Sequence, residues 1–166
     1  MNQFAKKTAF LGLCTALALV LAYVEALIPP IVTAIPGIKV GLPNIVIIFM
    51  LYRFGARDAA IVSFVRVVAV VFLFGNMMGF AYSIAGAVLS LLGMMLLKRL
   101  NWLSVVGVSV AGGVLHNIGQ ILMAMLLLRT AELGYYLVVL AVTGTISGIL
   151  IGICGAIMIK RIPEWK

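Results

Sequence analysis

From about Ser104 to Leu128 the chain runs without an acidic or basic residue, and as an α-helix that run is long enough to cross the roughly 30 Å hydrocarbon layer of a bilayer. Near its middle sits Ala111-Gly112-Gly113-Val114-Leu115-His116-Asn117-Ile118-Gly119-Gln120, which holds the sole histidine beside two amides. Polar groups at that depth are costly unless partnered or wet. His116 and Gln120 are four residues apart and share a helix face, while Gly112, Gly113 and Gly119 thin the helix for a close neighbour or ligand.

Composition says that the whole chain is of this kind. Hydrophobic residues make up 65% and charged residues 10%, with a mean hydropathy of +1.29, well beyond a soluble domain. A net charge of +8 could suggest nucleic acid, but the twelve Lys and Arg lie singly or in pairs at the ends of apolar runs. They mark topology, and no nucleic-acid partner is expected. The first apolar run, about Thr8 to Ile28, lacks a small-residue cleavage site behind it and is expected to stay as a helix. Cys14 and Cys154 fall toward ends read as cytoplasmic, and one His with no Cys pair makes no zinc site. Neither a disulfide nor a metal is expected.

The pattern predicts an all-α integral membrane protein, one transmembrane domain over residues 1–166, with spans at about 8–28, 41–54, 58–74, 79–97, 104–128 and 135–159. Nine of the basic residues (Lys6, Lys7, Arg53, Arg57, Lys98, Arg99, Lys160, Arg161 and Lys166) then fall on the side of the termini, against Lys39 and Arg129 on the other. The positive-inside rule makes both termini cytoplasmic in a cell membrane, with Tyr52, Trp102, Tyr135, Tyr136 and Trp165 as interfacial aromatics. The first connection, Pro29 to Lys39, carries three of the five prolines and reads as a stiff segment, either a lid lying on the protein or a plain connector.

With this orientation the polar residues inside the spans lie mostly toward the outside: Glu25, Asn44, Tyr82, Ser83, Gln120, Thr143 and Thr145, with His116, Asn117 and Arg66 at mid-depth. That profile predicts an outward cavity above a plugged inner half. Arg66 is always charged and wants an anion, either Glu25 in a permanent pair or the anionic group of a ligand. His116 reads either as a core histidine bonded to a backbone carbonyl or as a ligand contact. Ala18, Ala22 and Ala26, and likewise Gly144, Gly148, Gly152 and Ala156, recur every four residues, as a flat face for a neighbouring helix inside the bundle or for another subunit. There is no GxxxxGK[ST] phosphate loop, one aspartate (Asp58), and no Ser/Cys–His–acid set, so no catalytic residues, metal or cofactor are expected.

At Lys39-Val40-Gly41-Leu42-Pro43-Asn44, at Tyr82 to Ser90 and at Gly112 to Gln120, from about Leu11 to Ile159 overall, the chain resembles the Gx transporter family, whose members are often labelled heptaprenyl diphosphate synthase component I. That family looks like the substrate-binding S components of energy-coupling-factor (ECF) transporters. The resemblance implies six helices, an outer-facing site capped by the first loop, and an Ala-x-x-x-Ala face on the first helix, here Ala18, Ala22 and Ala26, docking a transmembrane coupling subunit that works with ATPases. The expected binding residues are Arg66, His116, Asn117, Gln120, Asn44, Tyr82, Glu25 and Lys39, for a small anionic molecule of vitamin-like or isoprenoid-like type. The other label implies a non-catalytic membrane subunit of a prenyl diphosphate synthase, and a secondary carrier using Glu25 and Arg66 is a third reading. Cysteines introduced at residues 2 and 165 should both react with a membrane-impermeant reagent from the cytoplasmic face alone; labelling from opposite faces would refute the topology.

Overall fold

The computed structural model describes residues 2–27, 41–74 and 77–162. The first connection with Lys39, and Trp165 and Lys166, lie outside the described residues. Six α-helices follow one another: α1 Gln3–Leu27, α2 Asn44–Arg53, α3 Ala56–Phe74, α4 Met77–Leu100, α5 Val105–Leu128 and α6 Leu137–Arg161, with a 3-10 turn at Ala131–Tyr136 before α6. No strand occurs among the described residues.

The helices begin and end where local chemistry dictates. Ser104 caps α5 by accepting the N–H of Gly107 at 3.2 Å, satisfying one of the donors a first turn leaves open. Arg129 ends α5 in the left-handed conformation (φ 52°), and Asn101 does the same after α4 (φ 54°). Before α2 the chain turns at Gly41 (φ 81°), and the Asn44 N–H donates to the Gly41 carbonyl at 2.8 Å. That φ suits glycine.

Helices α1, α4 and α5, and α6 with its preceding turn, are long and apolar enough to cross a membrane. The second expected span, 41–54, is shorter still as a helix: the ten residues of α2 reach only about 15 Å, half the hydrocarbon thickness. All six residues from Val46 to Leu51 are at most 2% exposed, so α2 is apolar on every side because protein surrounds it on every side. It packs on α6, α3 and α1, while the remaining contacts run α1–α3–α4–α5–α6 around it. Its side chains form one core with Ala18, Val62, Met94, Val108 and Ile151.

Basic residues gather the helix ends on one side of the bundle. Lys7 Nζ pairs with Asp58 Oδ2 at 2.8 Å, joining the starts of α1 and α3. Lys98 donates to the Leu51 carbonyl at 2.6 Å and sits 4.9 Å from the centre of the Tyr52 ring. Arg53 donates to the Ile159 carbonyl. These cations satisfy carbonyls in the last turns of α2 and α6, where the helix dipole is negative. The described ends of the chain therefore lie together at the basic end.

Glycines set the contacts of α5. A Cβ built on Gly113 would lie 2.5 Å from the Gly144 carbonyl oxygen, and one on Gly148 would lie 2.6 Å from Val110 Cα. The Gly144–Gly148–Gly152 ladder thus packs inside the molecule against α5. The alanine ladder of α1 also turns inward: Ala18 is fully buried and Ala22 is 8% exposed, with Ala26 alone on the surface. Of the docking face expected at Ala18, Ala22 and Ala26, only Ala26 is thus on the surface, and the exposed side of α1 carries the bulkier Leu13, Leu17, Val20 and Val24. Further exposed Leu, Ile and Val side chains cover α4, α5 and α6, as a lipid-facing surface requires.

Gly113→Ala should cost about 1–3 kcal/mol, because its new methyl group meets backbone that has no room to move. Gly12→Ala, where nothing lies within 4 Å, should melt like the wild type. Melting curves of the two variants in detergent check the contrast.

Candidate functional site

In the half of the bundle away from the basic end, a cavity opens between α1, α3, α4, α5 and the entry to α2. Helix α1 contributes Ala22 and Glu25, the turn before α2 contributes Gly41, and α2 opens on Asn44. From α3 come Arg66, Val67 and Val70, from α4 Ser83, and from α5 His116 and Gln120. Helix α2 runs from this cavity to the basic end, and its buried middle, Val46 to Leu51, forms an apolar plug beneath it. The cavity measures about 40 Å³, space for a few water molecules. Pockets for drug-sized ligands run to roughly 300–1,000 Å³, so a vitamin-sized or isoprenoid-sized molecule needs more room than this state offers.

Two opposite charges share the cavity. Glu25, 7% exposed, accepts the Gly41 N–H and so ties the C-terminal end of α1 to the turn that starts α2. Arg66 lies close enough to feel the Glu25 charge. It makes no hydrogen bond or ion pair with any other described residue, and its Nε is buried without a partner. The permanent Arg66–Glu25 pair weighed from the sequence is therefore not a direct contact. A buried guanidinium donor left open toward a cavity is a demand for an acceptor.

The α5 side of the cavity depends on a close crossing. A Cβ on Gly86 would come within 2.8 Å of the His116 carbonyl oxygen and 2.9 Å of Gln120 Cγ, and one on Gly119 within 2.7 Å of the Ala85 carbonyl oxygen. With glycine at both positions α4 and α5 touch through their backbones, and His116 and Gln120 line the polar cavity. On the lipid side of the same crossing lies an open groove of about 420 Å³, lined only by apolar residues such as Val88, Leu122 and Leu126.

Of the residues expected to bind, Arg66, Glu25, Asn44, His116 and Gln120 line one cavity. Asn117 does not line it: buried, it donates to the Leu140 carbonyl of α6 at 2.8 Å. Tyr82 does not line it either, and its hydroxyl faces Met78 Sδ at 3.6 Å along α4. Its neighbour Ser83 takes that place, and Ala22, expected to dock a partner, is part of the wall. The hydroxyls of Thr143 and Thr145 bond back to Leu140 and Ala141 of their own helix. Val67 and Val70 accompany Arg66 on one face of α3, a spacing that identifies them once Arg66 is placed.

The sequence model of heptaprenyl diphosphate synthase component I matches residues 14–158. The chain belongs to this family. The match covers every helix that lines the cavity, so the charged cavity sits within the part of the component I chain that the family shares. No curated protein and no solved structure matches the chain.

Because Asn117 holds α5 to α6 and stays out of the cavity, Asn117→Ala should lower stability by about 1–3 kcal/mol and leave binding at the cavity unchanged. Melting curves read beside binding titrations separate this residue from Gln120, whose removal should do the reverse.

Proposed function

We propose that this protein is a non-catalytic component embedded in the cell membrane that takes a small ligand with an anionic group into the Arg66 cavity and acts with separate partner proteins. The observation that carries this reading is the buried, unpartnered Arg66 Nε in the wall of a polar cavity within an apolar bundle. The basic end faces the cytoplasm by the positive-inside rule, so the cavity lies toward the outside. Two further features support the non-catalytic role. Prenyl transfer to a diphosphate uses magnesium held by clustered aspartates, whereas the one aspartate here, Asp58, pairs with Lys7 at the opposite end from the cavity. Glu25 is the one carboxylate among the described residues that line it.

The family description favours a prenyl diphosphate synthase as the assembly in which this component works, with a soluble catalytic subunit as partner. A second reading, the S component of an ECF-type importer, is favoured by the polar cavity at the end away from the basic residues, above the apolar α2 plug. The inward turn of Ala18 and Ala22 weighs against that ladder as the face for a coupling subunit. Affinity purification from gently solubilised membranes should recover a soluble synthase subunit. Recovery of a second membrane subunit with ATPases would replace the first reading by the second.

If Arg66 anchors the anionic group, Arg66→Ala should weaken binding roughly ten- to hundred-fold, because hydrogen bonds to charged groups contribute about 1.5–3 kcal/mol. Gln120→Ala removes a neutral partner and should cost about 0.5–1.5 kcal/mol. Titrations of both variants test this order. Equal affinity in Arg66→Ala and the wild type removes Arg66 from the site.

A further inference from the structure

The cavity wall carries one fixed positive charge, on Arg66, one acidic side chain, Glu25, and the imidazole of His116, which gains charge only by taking up a proton, while Asn44, Ser83 and Gln120 are uncharged. Glu25 is buried and anchored by the Gly41 N–H, so it cannot swing away from an incoming ligand without giving up that bond. In a space of about 40 Å³, any group that reaches Arg66 also lies near Glu25. A second negative charge on the ligand then meets like charge in a medium that screens poorly, whereas a positive or N–H-bearing group meets attraction.

We propose that Glu25 sets the charge of the ligand: the cavity selects a molecule that joins one anionic group to a cationic hydrogen-bond donor, a zwitterion of the amino-acid type, and rejects phosphate and diphosphate groups. The proposal rests on the reading of Arg66 as the anion anchor. It also divides labour within a prenyl diphosphate synthase, since the diphosphate substrate is then handled outside this cavity. Specificity of this kind comes as much from the repulsive element as from the attractive one.

The test uses the full chain in lipid nanodiscs with four probes small enough for the cavity or its margin: glycine, acetate, inorganic phosphate and pyrophosphate, titrated by calorimetry. Wild type should bind glycine at least tenfold more tightly than phosphate or pyrophosphate, with acetate between. Glu25→Gln keeps an acceptor for the Gly41 N–H but removes the charge, and should shrink the glycine-to-phosphate ratio at least tenfold. Arg66→Gln should abolish binding of every probe. A wild type that prefers pyrophosphate, or that binds none of the four, overturns the proposal, and this ranking stands even where Glu25→Gln fails to fold. Binding that needs Arg66 but ignores Glu25→Gln overturns the zwitterion while leaving the anion anchor in place. Binding that survives Arg66→Gln overturns the anchor itself.

Discussion

A polar group inside a hydrocarbon layer has no water to fall back on, and nearly every polar side chain in this bundle is placed by that constraint. The hydroxyls of Thr15, Thr143, Thr145 and Ser147 close onto carbonyls of their own helices. Asn117 reaches across to Leu140, and Lys98 and Arg53 satisfy the open carbonyls near the ends of α2 and α6. A further group of polar side chains, Arg66, Glu25, Asn44, Ser83, His116 and Gln120, gathers around one cavity. What makes the open Arg66 Nε informative is its place: it is a buried donor without a hydrogen-bond partner in the wall of that cavity.

The helices were legible because apolar runs bounded by charges, prolines and caps have one reading in a membrane protein. The role of α2 was not. A run such as Asn44–Arg53, apolar on all sides, looks the same whether lipid or protein surrounds it, and only its ten residues hint that it is too short for lipid. The small-residue ladders carried the same ambiguity, since spacing defines a flat face without saying what covers it. In α1 the face meets its own bundle at Cys14, Ala18, Ala22 and Glu25.

Within the site, helical geometry decides which of the polar residues line the cavity. His116 and Gln120, one turn apart, share the cavity. Asn117 lies about 100° further round α5 and faces α6. The same step separates Tyr82 from Ser83 on α4, so the smaller residue, not the more conspicuous one, reaches the cavity. Adjacent polar residues on a helix are thus rarely one site. Which of two neighbours belongs to it depends on how the helix is turned, and here Gly86 and Gly119 fix that turn by letting α4 and α5 meet at the backbone.

Close backbone contacts at glycine also make one wall of the cavity stiff. Helices α4, α5 and α6 meet through backbone contacts at Gly86, Gly119, Gly113, Gly144 and Gly148, and separating them would break many contacts together. Helix α1 packs chiefly on α3, with its glycine, Gly12, facing open space. Near the cavity Glu25 ties it to the turn before α2 by accepting the Gly41 N–H. The carboxylate that fixes this end of α1 is therefore also the one whose charge Arg66 feels across the cavity.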